Sequence, residues 1–312
     1  MLQVVNTLLP IFALIGLGLI LARRGFIGRD MLAELNRLLF YVSLPALIIH
    51  KLATVDRIPD GTWTVLVLFT IATLTVVGLS FPVCRLLRLP RERVGTFIQG
   101  AFRGNLAYTG LPILVFALKD APDARISNVL AIMLFVFAPT MVVYNAISVI
   151  LLVGSQPGSQ GNWGVMLRKV VTNPLILASA AGTALGFLPW ALPGVILDTL
   201  ELTGDLALPA ALICVGGGMA FVSMEGRYRS ASVATALKVV VLPAIAYLLS
   251  RLVDLPADAQ LVLMVLAACP TAIASYVMAK EMHGDEALAS GAIVLSTLAC
   301  IPTLAWVLMQ AS

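Results

Sequence analysis

Charged residues leave long gaps in this chain. Apolar runs follow one another from end to end, each closed by charges or by a Gly/Pro turn, at 4–22, 35–52, 63–84, 94–118, 126–153, 168–188, 195–222, 231–250, 258–280 and 286–310. A helix rising about 1.5 Å per residue crosses the hydrocarbon of a bilayer in about 20 residues, so each run is long enough for one crossing. Of the 312 residues 60% are hydrophobic and 12% charged, more apolar surface than a soluble domain can bury. The expected fold is therefore an all-α polytopic membrane protein of ten transmembrane helices, with no length left for a soluble domain. The first run has no basic segment before it and is followed by Arg23 and Arg24, which marks a retained helix, not a cleaved signal. Cys84, Cys214, Cys269 and Cys300 lie in apolar runs without CxxC-type spacing and read as packing residues, so neither a metal nor a cofactor is expected.

One stretch reads as a linker. Gly154 to Gly164, GSQPGSQGNWG, has no apolar face to bury and separates residues 1–153 from residues 165–312. Counting Lys and Arg on alternate loops gives Arg23, Arg24, Arg29, Arg85, Arg88, Arg91, Arg93, Arg168, Lys169, Arg227, Arg229 and Lys280 on one side, against Lys51, Arg57, Lys119, Arg125 and Arg251 on the other. That bias places the first set in the cytoplasm and both termini outside the inner (plasma) membrane. The net charge of +4 thus records orientation in the lipid bilayer and gives no reason to expect a nucleic-acid partner.

Five helices per half make the second half enter the membrane from the opposite side, so internal similarity would be an inverted repeat. Short matches recur in order. Leu44-Pro45-Ala46 answers Leu208-Pro209-Ala210, Arg88-Leu89-Pro90 answers Asp254-Leu255-Pro256, Lys119-Asp120 answers Lys280-Glu281, and Pro139-Thr140 answers Pro302-Thr303.

Prolines at 45, 82, 112, 139, 209, 243, 270 and 302 fall inside apolar runs. A mid-membrane proline frees a carbonyl that needs a partner, and for most of these an ordinary kink suffices. The fourth and ninth runs differ. The fourth holds Gln99, Gly100, Arg103, Gly104, Asn105, Gly110 and Pro112, and the ninth holds Pro270, Thr271, Ser275 and Tyr276. Paired interrupted helices at corresponding places in two halves are a pointer to a midplane binding site, and half-helix N-termini there favour an anion. Arg103 stands about ten residues into its run, roughly 15 Å deep. It serves either a substrate carboxylate or an acidic partner such as Asp205. Asn105 and Gln99 are uncharged donors in the same run, with interhelical bonding as their other use. Lys238 reads as a lysine that snorkels to the interface, with ion coupling as the alternative. Asp205 reads as a coupling carboxylate or a solvated helix end. The glycines at 216–218 read as a close-packing site. No Ser/His/Asp set, HExxH or phosphate loop is present, so an enzyme is not expected.

These residues resemble the auxin efflux carrier family, which includes plant auxin exporters and bacterial permeases for malonate or malate. The resemblance rests on Asn105 through Pro112, on Cys269-Pro270 through Ala279-Lys280-Glu281, on Leu35-Asn36-Arg37 before Leu44-Pro45, and on Asn173-Pro174. It implies a five-plus-five inverted fold whose broken fourth and ninth helices cross at Pro112 and Pro270 and hold an organic anion, with Asn105 as the substrate-binding asparagine. A scaffold of the first, second, sixth and seventh helices and an elevator motion of the remainder are implied with it. The expected function is secondary active transport of small carboxylates by alternating access. Proton or sodium is the coupling ion. A sodium-coupled bile-acid-type symporter is the alternative and a passive channel a weaker one. The oligomeric state, a homodimer included, is left open.

Overall fold

The structure is a computed structural model that describes residues 2–55, 57–156, 172–187, 192–221 and 226–311. Among the described residues every regular element is a helix: α1 (Leu2–Arg23), α2 (Arg29–Ala53), α3 (Thr62–Leu86), α4 (Arg91–Phe102), α5 (Leu106–Ala117), α6 (Asp123–Ser155), α7 (Pro174–Gly186), α8 (Gly194–Ala220), α9 (Tyr228–Ser250), α10 (Ala257–Ala268), α11 (Ala274–Glu281) and α12 (Glu286–Ala311). Six of them, α2, α3, α6, α8, α9 and α12, are long and apolar enough to cross a membrane. Shorter apolar helices lie at Thr7–Arg23, α5, α7 and α10. The protein is an all-helical, multi-pass membrane protein. The linker lies outside the described residues from 157 onward, as do Arg168 and Lys169. Gly154 and Ser155 still belong to α6. Asn173 starts α7 by accepting the Leu175 and Ile176 N–H groups at 2.9 and 3.4 Å, and Pro174 follows where a missing N–H costs nothing.

The chain forms two compact units, each drawn from both halves of the sequence. Unit 1 comprises Met1–Trp63, Ala107–Met141 and Arg168–Phe221; unit 2 comprises Thr64–Leu106, Val142–Leu167 and Val222–Ser312. In unit 1 the backbones of α1 and α8 touch. A side-chain carbon at Gly216 would fall on the Ile15 carbonyl, and one at Gly18 on the Ile213 carbonyl. In lipid, where apolar burial does not drive helices together, such small residues let van der Waals packing do so, as the glycine triplet led us to expect. Ile27, Leu32, Leu39, Ala210, Ala211 and Cys214 form the neighbouring core, with Tyr108 packed on it.

Three helices carry a π turn, Leu39–Ser43 in α2, Leu106–Gly110 in α5 and Leu237–Val241 in α9, and each is followed by Leu-Pro. The ring of Pro45, Pro112 or Pro243 would clash with the carbonyl four residues earlier, which lies within the turn. Widening the turn avoids the clash: the Leu44 and Leu242 N–H groups reach back five residues, to the Leu39 and Leu237 carbonyls. In unit 2 the Val239 carbonyl opposite Pro243 finds a new partner in the Thr303 hydroxyl of α12 at 2.7 Å.

Candidate functional site

The two interrupted helices meet within unit 2. α10 stops at Cys269, whose extended backbone (φ −53°, ψ 140°) is what a following proline enforces. α4 stops at Arg103, also extended (φ −76°, ψ 96°). The two unwound segments then pair antiparallel, Gly104 opposite Thr271. The Asn105 N–H donates to the Pro270 carbonyl at 2.7 Å, and the Ala272 N–H to the Arg103 carbonyl at 2.9 Å. This pairing gives the unwound backbone the partners it would otherwise lack at membrane depth. It also corrects one expectation. The pairing lies at residues 103–105, not at Pro112, because Pro112 falls in the first turn of regular α-helix after the π turn, where its missing N–H interrupts nothing.

The C-terminal ends of α4 and α10 at the break present open carbonyls and the negative end of their dipoles, and each is capped. The Thr271 hydroxyl donates to the Gly100 carbonyl at 2.8 Å, ending α4, while the Thr271 N–H donates to Ser296 Oγ at 2.8 Å. The Lys238 ammonium donates to the Ala267 carbonyl at 2.7 Å, ending α10. Lys238 does not snorkel: it is 0% exposed, because the carbonyls of an interrupted helix offer its charge an internal partner. Its stem passes Gly104 so closely that a side-chain carbon there would stand 3.4 Å from Lys238 Cε and 3.1 Å from Leu106 Cδ2. Glycine at 104 leaves room for this approach, and a larger residue would crowd the Leu106 side chain.

Arg103 is 5% exposed, and its guanidinium turns inward to α6. Nη2 donates to Asn145 Oδ1 at 2.9 Å and Nη1 to Ser148 Oγ at 3.2 Å. Nε has no partner, and the ring of Tyr144 lies 6.0 Å from Cζ. Tyr144 is itself fully buried, edge-on to Phe102 at 5.4 Å and tilted against Phe69 at 6.2 Å. Arg103 thus has neutral partners. Asp205, the acidic alternative, is an exposed residue of unit 1. Asn145 and Ser148 were missed by the sequence reading, although two polar residues one helical turn apart in a long apolar helix were a visible signal.

Of the remaining candidates, Gln99 is buried and donates to Met278 Sδ at 3.5 Å, with Oε1 unpartnered. The Ser275 hydroxyl, in the first turn of α11, is 1% exposed and unpartnered. Tyr276 is half-buried and its hydroxyl donates to Glu286 at 2.9 Å. Arg103, Asn105, Pro270 and Thr271 are brought together. Gly110 and Pro112 are buried on α5 in unit 1.

Comparison with known proteins supplies the family. A model of the family described as "Membrane transport protein" matches residues 3–161 and 162–308. A protein of Rhizobium meliloti strain 1021, provisionally named a malonate transporter, is 26% identical over 316 residues, covering 97% of this chain and 94% of that one. An uncharacterized transporter of Methanothermobacter thermautotrophicus strain Delta H is 23% identical over 301 residues, covering 96% and 95%. Matched along nearly its whole length, the chain belongs to this membrane transport protein family, that of the auxin efflux carriers, and is a transporter, not an enzyme.

Proposed function

We propose that the protein is a secondary active transporter of small organic anions, carboxylates of the malonate and malate kind, bound in unit 2 beside the paired breaks. The observation that carries this reading is the antiparallel pairing of Gly104 with Thr271, since two interrupted helices that meet at their breaks are how transporters of inverted-repeat build form a midplane site. Asn105, Thr271, Ser275 and Tyr276 supply hydrogen-bonding groups, Pro270 shapes the break in the ninth run, and the positive charges of Arg103 and Lys238 favour an anion nearby. Arg103 acts through its charge and by holding the break to α6. The six long and four shorter apolar helices support ten spans in two inverted five-helix repeats. The presence of α1, α2, α7 and α8 together in unit 1 supports a scaffold of these four helices and an elevator motion, although α5 and the first half of α6 fall in that unit as well. Proton or sodium coupling is assigned to the neighbourhood of Lys238 and Gln99 or to Asp205. The malonate in the name of the Rhizobium relative supports a dicarboxylate.

The test is uptake of radiolabelled malonate, malate and indole-3-acetate into proteoliposomes under an imposed proton gradient, with and without sodium. Accumulation above equilibrium by the parent protein, and loss of roughly tenfold or more in Asn105→Ala and Arg103→Ala, is the expected result. Equal carboxylate transport by well-folded variants would remove the site from this crossing. A strict sodium requirement would move the protein to the sodium-coupled alternative.

A further inference from the structure

Two segments of unit 2, far apart in sequence, each bring an arginine to one carboxylate, Arg93 and Arg227 meeting at Asp285. The connection from α3 to α4 carries Arg85, Arg88, Arg91 and Arg93, and the start of α9 carries Arg227 and Arg229. Asp285, just before α12, holds Arg93 and Arg227 on a single oxygen, accepting from Arg227 Nε at 2.6 Å and forming an ion pair with Arg93 Nε at 3.2 Å. Its other oxygen caps α12 through the Leu288 N–H at 2.9 Å. Two guanidiniums held at one carboxylate leave a positive surplus, because a loop bias toward basic residues does not by itself make them converge. Arg91 donates to the Gly154 carbonyl at 3.1 Å. Arg85, Arg88 and Arg229 are exposed and pair with no carboxylate among the described residues. With Lys280 counted alongside Glu92, Glu281 and Glu286, this end of the unit holds seven cations against four acids among the described residues.

The surrounding surface is that of a membrane boundary. Leu86 is 81% exposed and Tyr228 58%, so bare apolar and amphipathic side chains stand next to the charges. Arg88 also sits at φ 51°, a left-handed conformation that glycine would adopt more cheaply, in the turn closed by the Leu89 N–H on the Cys84 carbonyl at 3.0 Å. A costly arginine at a glycine position is an outlier that calls for a use.

We propose that this end of unit 2 binds the headgroup of an anionic phospholipid, its phosphate taken by Arg85, Arg88 and Arg229 while Leu86 and Tyr228 lie at the level where its acyl chains begin. A guanidinium fork matches phosphate oxygens, and basic clusters at the ends of membrane helices recognise anionic headgroups.

The test uses the full-length protein in an uncharged detergent, with phosphatidylglycerol, phosphatidylcholine or inorganic phosphate added. Phosphatidylglycerol should raise the melting temperature by about 2–4 °C and remain attached in native mass spectrometry; the other two should do neither. R88G keeps the turn, since glycine suits φ 51°, and should melt no lower than the parent without lipid. R85Q/R88G/R229Q should lose most of the phosphatidylglycerol shift, whereas R23Q/R24Q, which removes two exposed charges outside the cluster, should keep it. An equal shift with phosphatidylcholine, an equal effect of inorganic phosphate, an undiminished response in the triple variant or an equal loss in R23Q/R24Q would each overturn the proposal. None of these readouts depends on transport.

Discussion

Arg103 does two jobs with two parts of itself. Its carbonyl pairs with Ala272 across the break, and its guanidinium fastens α4 to α6 through Asn145 and Ser148. A buried cation with neutral partners relies on each of them, because losing one leaves charge uncompensated at low dielectric. Asn145→Leu should therefore lower stability by about 2 kcal/mol, read as thermal unfolding in detergent. Adding Arg103→Met should recover part of that loss in a double-mutant cycle, since no charge is then left to satisfy. The need of Arg103 for a partner was legible from its depth in an apolar run. The identity of the partner was not: Asn145 stands 42 residues further along, and only packing within unit 2 brings the two together.

At the level of helices, proline has two different consequences here. Pro270 ends a helix by forcing the residue before it out of helical geometry, whereas Pro45, Pro112 and Pro243 each follow a widened turn and let the chain continue. The Leu-Pro pairs were plain in the sequence, but a π turn has no composition of its own, so the widening was not. The difference also explains why the fourth run breaks at Gly104 and not at Pro112. A test lies in α9. Thr303→Val removes the partner of the Val239 carbonyl and should cost about 1 kcal/mol. On a Pro243→Ala background, where residue 243 regains an N–H for that carbonyl, the same change should cost close to nothing in the unfolding assay.

For the molecule as a whole, the apolar runs gave the helices and their order, and the interruptions in the fourth and ninth runs gave the two unwound segments that pair in unit 2. The grouping into units was not legible, because segments such as Ala107–Met141 join unit 1 by packing that their own periodicity does not encode, and the family resemblance leaves that stretch outside the scaffold. Lys238 shows why. Its place near a helix end suggested water, but the open carbonyl of Ala267 drew it inside. Arg103 and Lys238 are the two charged side chains buried in unit 2 among the described residues, and they make its interior electrically positive. On the proposed elevator motion a dianion such as malonate would cancel both, so the loaded unit would cross nearly neutral while the empty unit carried two charges back. Each charge moved through the full membrane field is worth about 2.3 kcal/mol per 100 mV. Substrate exchange should therefore ignore an imposed potassium diffusion potential and net uptake should follow it. Lys238→Met should weaken that dependence by roughly half, one of the two charges being gone. Exchange that stays indifferent to voltage in Lys238→Met, where the loaded unit should carry an uncompensated charge, would show that this cation does not travel with the cargo. The membrane potential then becomes a brake or a drive on the empty return, set by two residues buried in the protein interior.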